Sequence, residues 1–303
     1  MFRHSCAPCS VTGIFLLLLS AFPIPGAELQ IDHVTVAGVQ LDAIREAFTT
    51  ATGMPTEFGG QHTNHATEMA LVSFPDGSYL ELMGIQRDPD PASVAHHVWS
   101  RFLRGNAGPC AFAIRAGGGV QVDQLRSAGI RLEGAERGGR TRPDGTRLEW
   151  ESMELGSGPR GTFFPFLIHD LTPRTNRVYP SGHPTTDRVS GISKVVIGVQ
   201  NLNDAIALYR RAFKLPAPRR QDDPGFDAVL ASFDGTPIVL AQGLNADSWL
   251  ARRVRQYGNI PSAFVLAAAE APRGGRTSEW FGHKIYWADE HTLGWHLGME
   301  VSR

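Results

Sequence analysis

Apolar and polar side chains alternate near the start of the chain, in residues 29–38 (LQIDHVTVAG). Leu29, Ile31 and His33 fall on one parity and Asp32 on the other. Because a β-strand directs successive side chains to opposite faces, the pattern predicts a strand in which His33 points to the same enclosed side as Leu29 and Ile31. A lone histidine in a strand most often makes one hydrogen bond at the core, so this residue does not define a site by itself.

Helical spacing follows that strand, and the combination recurs later in the chain. Apolar residues return every three or four positions over about residues 41–51 and again over 202–213, which predicts two amphipathic helices. The strand before the second helix, ISKVVIG (192–198), matches IDHVTVA (31–37). After each helix come strand-like segments joined by Asp-Gly turns. The predicted unit is a strand, a helix and three further strands.

A second kind of unit also occurs twice. Its matching segments, in the same order, are AFAIRA (111–116) with AFVLAA (263–268), GGRT (138–141) with GGRT (274–277), and GTRLEW (145–150) with GHKIYW (282–287). The first copy contains a predicted helix over 120–128, whereas the last copy has only residues 270–273 at that place. We therefore predict four modules, the last one degenerate, over 29–86, 108–170, 190–243 and 260–303.

The first 27 residues have the pattern of a secretory signal peptide. Arg3 and His4 form a basic start, an apolar run over 11–22 contains four consecutive leucines, and Ala27 offers a cleavage point. The run is too short to span a bilayer comfortably. The pattern predicts an exported protein, periplasmic or secreted, that has no stable membrane insertion after signal removal. The alternative is a signal retained as an anchor.

Proline and glycine separate the two pairs of modules. The segment 171–189 contains three prolines and one glycine, which is the composition of a linker. We therefore expect a first domain over 28–170 and a second, degenerate domain over 190–303.

Composition narrows the class of partner. The 303 residues are 42% hydrophobic and carry a net charge of -1 without a block of like charges, so we expect no nucleic-acid partner. Cys6 and Cys9 lie in the predicted signal peptide, and Cys110 alone cannot form an internal disulfide. The expected partner is a small-molecule ligand or substrate. Whether the protein forms a homodimer is left open by the sequence.

Four motifs now suggest a family: GGQH (59–62), GSYLELMG (77–84), FFPFLIHD (163–170) and GHP (182–184). With the repeated modules, they resemble the glyoxalase-like domain proteins of the vicinal oxygen chelate superfamily. The resemblance implies an α+β fold in which four βαβββ-type modules pair into two curved mixed sheets. That superfamily includes isomerases, dioxygenases, thiol transferases and binding proteins without catalytic activity, so fold does not settle function.

The resemblance also implies a divalent metal held by the first and last strands of each module. By position, His33 and Glu81 are the ligands of the first module. Glu81 shares a face with Tyr79 and Met83, and an enclosed carboxylate is costly unless a cation or donor compensates it. Imidazole and carboxylate suit zinc, iron, manganese or nickel, and they do not select among these metals.

The second module departs from this pattern. It offers Cys110 or Ala111 where a histidine is expected, and Phe164 or Phe166 where a glutamate is expected. Three other histidines are candidates for the missing positions: His169 at the end of its last strand, and His62 and His65 in the loop GGQHTNHA.

The second pair of modules lacks the metal-ligand pattern completely. Lys194 stands at the position of His33, and Leu240 stands roughly at the position of Glu81. This pair is interpreted as a degenerate copy that binds no metal. Two other polar clusters on predicted connecting helices, His96-His97 and Arg252-Arg253, are interpreted as solvated helix faces.

Two functions remain open. One is an exported lyase, isomerase or dioxygenase in which the metal chelates two neighbouring substrate oxygens, with Glu81, His62 or His65 as catalytic residues. The other is a metal-free protein that binds small molecules in an apolar pocket lined by Trp150, Phe164 and Phe166.

Overall fold

The computed structural model describes residues 29–116, 120, 122–272 and 275–301. The predicted signal peptide lies outside the described residues. The first half contains β1 (Ile31–Ala37), α1 (Leu41–Thr52), β2 (Glu57–His62), β3 (Thr67–Ser73), β4 (Tyr79–Ile85), α2 (Pro91–His96), α3 (Ser100–Arg104), β5 (Gly108–Arg115), α4 (Val122–Ser127), β6 (Leu132–Thr141), β7 (Arg147–Leu155) and β8 (Phe166–Asp170). The second half contains α5 (Arg174–Val178), β9 (Val189–Gly198), α6 (Leu202–Phe213), β10 (Arg219–Asp223), β11 (Ala228–Ser232), β12 (Ile238–Gly243), α7 (Trp249–Tyr257), β13 (Ile260–Ala268), β14 (Thr277–Trp280), β15 (His283–Trp287), α8 (Glu290–Leu293) and β16 (His296–Val301).

The strands of the first half close into a barrel in the order β1-β4-β3-β2-β6-β7-β8-β5. Within each module the first strand pairs in parallel with the last, β1 with β4 and β5 with β8. The two modules join through the antiparallel pair β1 and β5, and again where β2 meets β6. This arrangement confirms the predicted α+β fold of paired modules.

The strands of the second half form an eight-stranded sheet in the order β10-β11-β12-β9-β13-β16-β15-β14. Aromatic side chains pack together in one of its core clusters: the ring of Phe226 stacks on Trp287 at 5.0 Å and meets the edge of Trp280 at 5.1 Å. All three are buried. The repeat therefore yields a packed aromatic core in this half.

The two halves share apolar packing. One core cluster includes Val34 and Phe164 of the first half together with Tyr209 and Phe233 of the second. The Tyr209 hydroxyl also donates a hydrogen bond to the backbone carbonyl of Phe163. The segment between the halves contains the short helix α5, and β9 begins at Val189.

The interpretation of Arg252-Arg253 as a solvated face is wrong for Arg253. Its guanidinium donates to the backbone carbonyls of Ala107, Pro109 and Pro261, so it links α7 to strands of both halves.

None of the helices in the described part of the chain is long and apolar enough to cross a membrane.

Candidate active site

A cavity of about 370 Å³ lies inside the first barrel. Side chains of β1, β2, β4, β6, β7 and β8 line it, among them His33, His62, Glu81, Arg140, Trp150 and Phe166. Three of these groups, two imidazoles and one carboxylate, can bind a metal or move a proton.

His33 reaches this cavity because β1 contains an irregularity. The pairing of β1 with β5 shifts register between Ile31 and His33. Leu29 and Ile31 therefore pack in the same core cluster as Val34 and Val36, while His33 turns to the barrel interior. The prediction that His33 shares a face with Leu29 and Ile31 is wrong, since one extra residue in a strand reverses the parity of everything before it.

Neighbouring side chains hold the imidazole of His33 firmly. Its Nδ1 lies 2.7 Å from Oδ1 of Asp32, and the ring stacks on Tyr79 with 4.8 Å between centroids. Phe166 meets the ring edge-on at 5.4 Å. Since a carboxylate only accepts hydrogen bonds, His33 donates from Nδ1 and keeps Nε2 free. That Nε2 lies 3.9 Å from Oε2 of Glu81.

Asp32 remains ionised within a buried cluster of charges. Burial by itself would raise the pKa of its carboxyl, but Arg177, His33 and Arg174 together hold the pKa well below its usual value. Both terminal nitrogens of Arg177 donate to the Asp32 carboxylate at 3.0 Å, and Arg177 also binds Asp170. The segment between the two halves thus supplies the arginine that fixes Asp32 and, through it, His33.

His62, at the end of β2, approaches Glu81 from the other side. Its Nδ1 lies 2.9 Å from the hydroxyl of Thr67, and its Nε2 lies 3.8 Å from Oε1 of Glu81. Burial lowers the pKa of His62, with Arg140 and His33 contributing and Glu81 opposing. The ring is therefore neutral at pH 7, which is the form that binds a metal or accepts a proton.

Glu81 is the centre of this arrangement. The carboxylate is 5% exposed, and its Oε2 accepts a hydrogen bond from Thr35 at 2.8 Å. Both histidine nitrogens lie beyond hydrogen-bond distance of its oxygens, so neither imidazole compensates the carboxylate directly.

The three donors suit a divalent metal in their chemistry. Two imidazole Nε2 atoms and one carboxylate are ligands of zinc, iron, manganese and nickel. The Asp32 carboxylate accepts from Nδ1 of His33, a contact that metal-binding histidines commonly have. No group of three or more His, Cys, Asp and Glu side chains in the described ranges is close enough to form a ready metal site. Binding would thus require the three donors to move closer together, since coordination bonds are about 2.0–2.2 Å long.

The second module adds no ligand at the positions expected from the family. Ala111 and Cys110 are fully buried, and burial raises the pKa of the Cys110 thiol. Phe166 packs on His33 instead of offering a carboxylate. In the second sheet, Lys194 occupies the position of His33 and pairs with Glu300.

Three predicted site residues lie outside the cavity. His65 is exposed in the turn between β2 and β3, where its φ is 56°. His169 is exposed because it lies on the opposite parity of β8 from Phe166 and Ile168. Phe164 precedes β8 and stacks on Tyr209, 5.2 Å between centroids, at the junction of the two halves. Trp150 and Phe166 line the cavity. Their role as an apolar surface for a ligand stays a prediction.

Sequence reasoning missed His97 and Arg140 of the cavity wall. The interpretation of His97 as part of a solvated face is wrong, because the chain leaves helix α2 there and turns the ring towards the barrel. Burial lowers the pKa of His97 to about 4, helped by His62 and Arg160. Arg140 belongs to the repeated GGRT motif, which was the available signal for it.

The closed barrel of paired modules with an internal cavity is the vicinal oxygen chelate fold that the sequence motifs predicted. Residues 31–213 match the family model of the glyoxalase-like domain, more than half of the chain. The chain belongs to this family.

One solved structure supports the fold over most of the chain, and a second is similar over a smaller part. A hypothetical protein from Staphylococcus aureus is similar over 90% of this chain and 100% of its own, with a TM-score of 0.60 and 13% identity. A methylmalonyl-CoA epimerase from Mycobacterium tuberculosis covers 39% of this chain and 91% of its own, with a TM-score of 0.34 and 14% identity. No curated protein matches the chain.

Proposed function

We propose that the first barrel is the active site of a divalent-metal-dependent lyase, isomerase or dioxygenase that acts on a small substrate with two neighbouring oxygens. One observation supports this proposal above all. His33 and His62 each have Nδ1 occupied by a protein partner, and each directs Nε2 to the same buried carboxylate, Glu81.

The residues of the chain divide the work as follows. His33, His62 and Glu81 would hold the metal, which when bound polarises the substrate oxygens as a Lewis acid. His97 is a neutral imidazole on the cavity wall. Its Nδ1 accepts the backbone N–H of Trp99 at 3.2 Å, so its Nε2 carries the proton and donates a hydrogen bond to a substrate oxygen. Trp150 and Phe166 exclude water from the reacting end of the cavity.

Metal retention tests this function. The purified full chain is loaded separately with zinc, iron(II), manganese and nickel, desalted, and assayed for bound metal by elemental analysis. We expect about one ion per chain with at least one of these metals. His33→Ala and Glu81→Gln should each reduce retention about tenfold or more, since each removes a ligand.

The matched controls are His65→Ala and His169→Ala, which change exposed histidines outside the cavity. Both should retain metal as the parent does. Thermal unfolding of each variant shows whether it is folded. Equal metal retention by the parent and a folded His33→Ala variant would contradict the proposal.

A second function has its own support. Ala111 and Phe166 leave the second module without ligands, and Phe166 and Trp150 give the cavity apolar walls. These features favour a metal-free protein that binds or sequesters a small molecule. A ligand that binds equally well with a chelator present, and is recovered unchanged, would favour this function over the first.

We also propose that the protein is exported, on the basis of the signal-like pattern in residues 1–27. Cell fractionation followed by N-terminal sequencing tests this. We expect the protein in the exported fraction with a new terminus near residue 28, and an intact Met1 in the cytoplasmic fraction would contradict it.

A further inference from the structure

Arg140 is a buried cation on the cavity wall without an acidic partner. The residue is 2% exposed and lines the cavity. No carboxylate of the described residues lies within ion-pair distance of its guanidinium, which donates instead to the backbone carbonyls of Gly59 and Arg177. Burial lowers the pKa of Arg140 to about 10, so the group still carries its charge at pH 7.

The other arginines around the cavity are compensated. Arg177 binds both Asp32 and Asp170, and Arg160 binds both Glu136 and Glu154. Isolated buried charges are costly, and proteins normally pair them or leave them for a ligand. Among these arginines, Arg140 is the one without a carboxylate partner in the described residues, so an anionic ligand would compensate its charge.

Strand register places this arginine beside the proposed metal ligands. On the antiparallel strands β2 and β6, His62 lies directly opposite Arg140, so both side chains are on the same face of the sheet. Gly138, two residues earlier on β6, leaves room for the indole of Trp150, since a Cβ there would lie 2.5 Å from its Nε1. The guanidinium of Arg140 and the indole of Trp150 both line the cavity.

The repeat provides an internal comparison. The second GGRT motif contains Arg276 at the position of Arg140, and Arg276 is exposed and pairs with Glu290 at 3.0 Å. The arginine of the second copy has a carboxylate partner, and the arginine of the cavity copy has none among the described residues.

Glu81 is the sole carboxylate among the described residues that line the cavity. If a divalent cation binds Glu81, as the proposed function requires, the carboxylate is compensated by that cation and the charge of Arg140 has no counterpart in the cavity. We propose that the substrate is a small carboxylate, and that its carboxylate group docks on Arg140 while its reacting oxygens lie towards His33, His62 and Glu81. The placement of the reacting oxygens near His33, His62 and Glu81 rests on the proposed function.

Matched pairs of small acids and their primary amides test the inference. The metal-loaded full chain is titrated by calorimetry with benzoate and benzamide, succinate and succinamide, and 2-oxobutyrate and 2-oxobutanamide. We expect acids to bind at least about tenfold more tightly than their amides, because a charge-assisted hydrogen bond to a buried arginine is stronger than a neutral one. Arg140→Gln should remove this preference.

Arg140→Lys keeps the charge but loses the paired donors, so it should retain part of the preference. Arg276→Gln is the matched control and should leave the preference unchanged. The ratio of acid to amide affinity is measured within each variant, and thermal unfolding shows whether each variant is folded. Equal binding of acids and amides, binding of none of the acids, or an unchanged preference in a folded Arg140→Gln variant would each overturn the inference.

The same titrations on chelator-treated protein separate this inference from the proposed function. An acid preference that depends on Arg140 but persists without metal would support the carboxylate site, even if metal retention fails. Retained metal without any acid preference would leave the proposed function standing and contradict the carboxylate substrate.

Discussion

At the scale of the residue, Asp32 controls the site although it does not line the cavity. It accepts from His33 on one side and from two arginines of the segment after β8 on the other. The same carboxylate therefore sets which nitrogen of His33 carries the proton and compensates Arg177, which is almost fully buried. Orientation of a metal ligand and stability of the barrel are coupled at this one side chain.

Asp32→Asn tests that coupling. The variant keeps the shape of the side chain but leaves Arg177 with one carboxylate instead of two, so we expect a loss of about 3 kcal/mol in the free energy of unfolding. Metal affinity should fall about 10- to 100-fold, because the amide lacks the negative charge that holds the Nδ1–H of His33 and keeps only one acceptor oxygen. Urea unfolding and metal titration measure the two effects. The control is Asp42→Asn, which changes an exposed carboxylate. Unchanged metal affinity in a folded Asp32→Asn variant would show that Asp32 does not act through His33.

At the scale of the element, local pattern and register carry different information. The strand IDHVTVA, its helix and the hairpins were predictable, because apolar spacing and Asp-Gly turns are local signals. The face of His33 was not, because the register shift between Ile31 and His33 reverses the parity of the residues before it and has no local signal in the sequence. Arg140 was missed for a related reason: its position opposite His62 depends on how β2 meets β6, which no local pattern shows.

The packing of helix α1 on strand β4 gives a prediction at this scale. Gly84 lies so close to the helix that a Cβ would be 2.6 Å from the backbone nitrogen of Leu41, an atom that cannot move without the helix. Gly84→Ala should destabilise the protein by about 1–3 kcal/mol in urea unfolding. Gly158→Ala is the control, since its Cβ would meet only the Thr162 hydroxyl at 3.4 Å, and we expect a change within about 0.5 kcal/mol. Equal stability of the two variants would mean that the helix is not held at this distance.

At the scale of the whole molecule, the two copies of the repeated unit differ in what their interiors contain. In the first barrel the repeat leaves a cavity with polar groups around Glu81, and in the second sheet Phe226, Trp280 and Trp287 pack into an aromatic core. The second half contributes to the first through shared packing, since Tyr209 lies in the same core cluster as Phe164 and Val34. Stability of the half with the cavity therefore depends in part on the half without one.

Substitution of Arg253 tests whether the stability of the first half depends on the second. Its guanidinium, carried by α7, donates to Ala107 at 2.6 Å and also to Pro109 in the first half, and to Pro261 at 3.1 Å in the second. Arg253→Met leaves these carbonyls without their donor, and we expect it to lower the free energy of unfolding by about 2–3 kcal/mol. Arg252→Met, at an exposed arginine whose donor contact is to Asp247 just before the same helix, should change it by about 0.5 kcal/mol or less. Urea unfolding followed by tryptophan fluorescence measures both variants. If Arg253→Met were as stable as Arg252→Met, the hydrogen bonds across the junction would contribute nothing, and apolar packing alone would hold the two halves together.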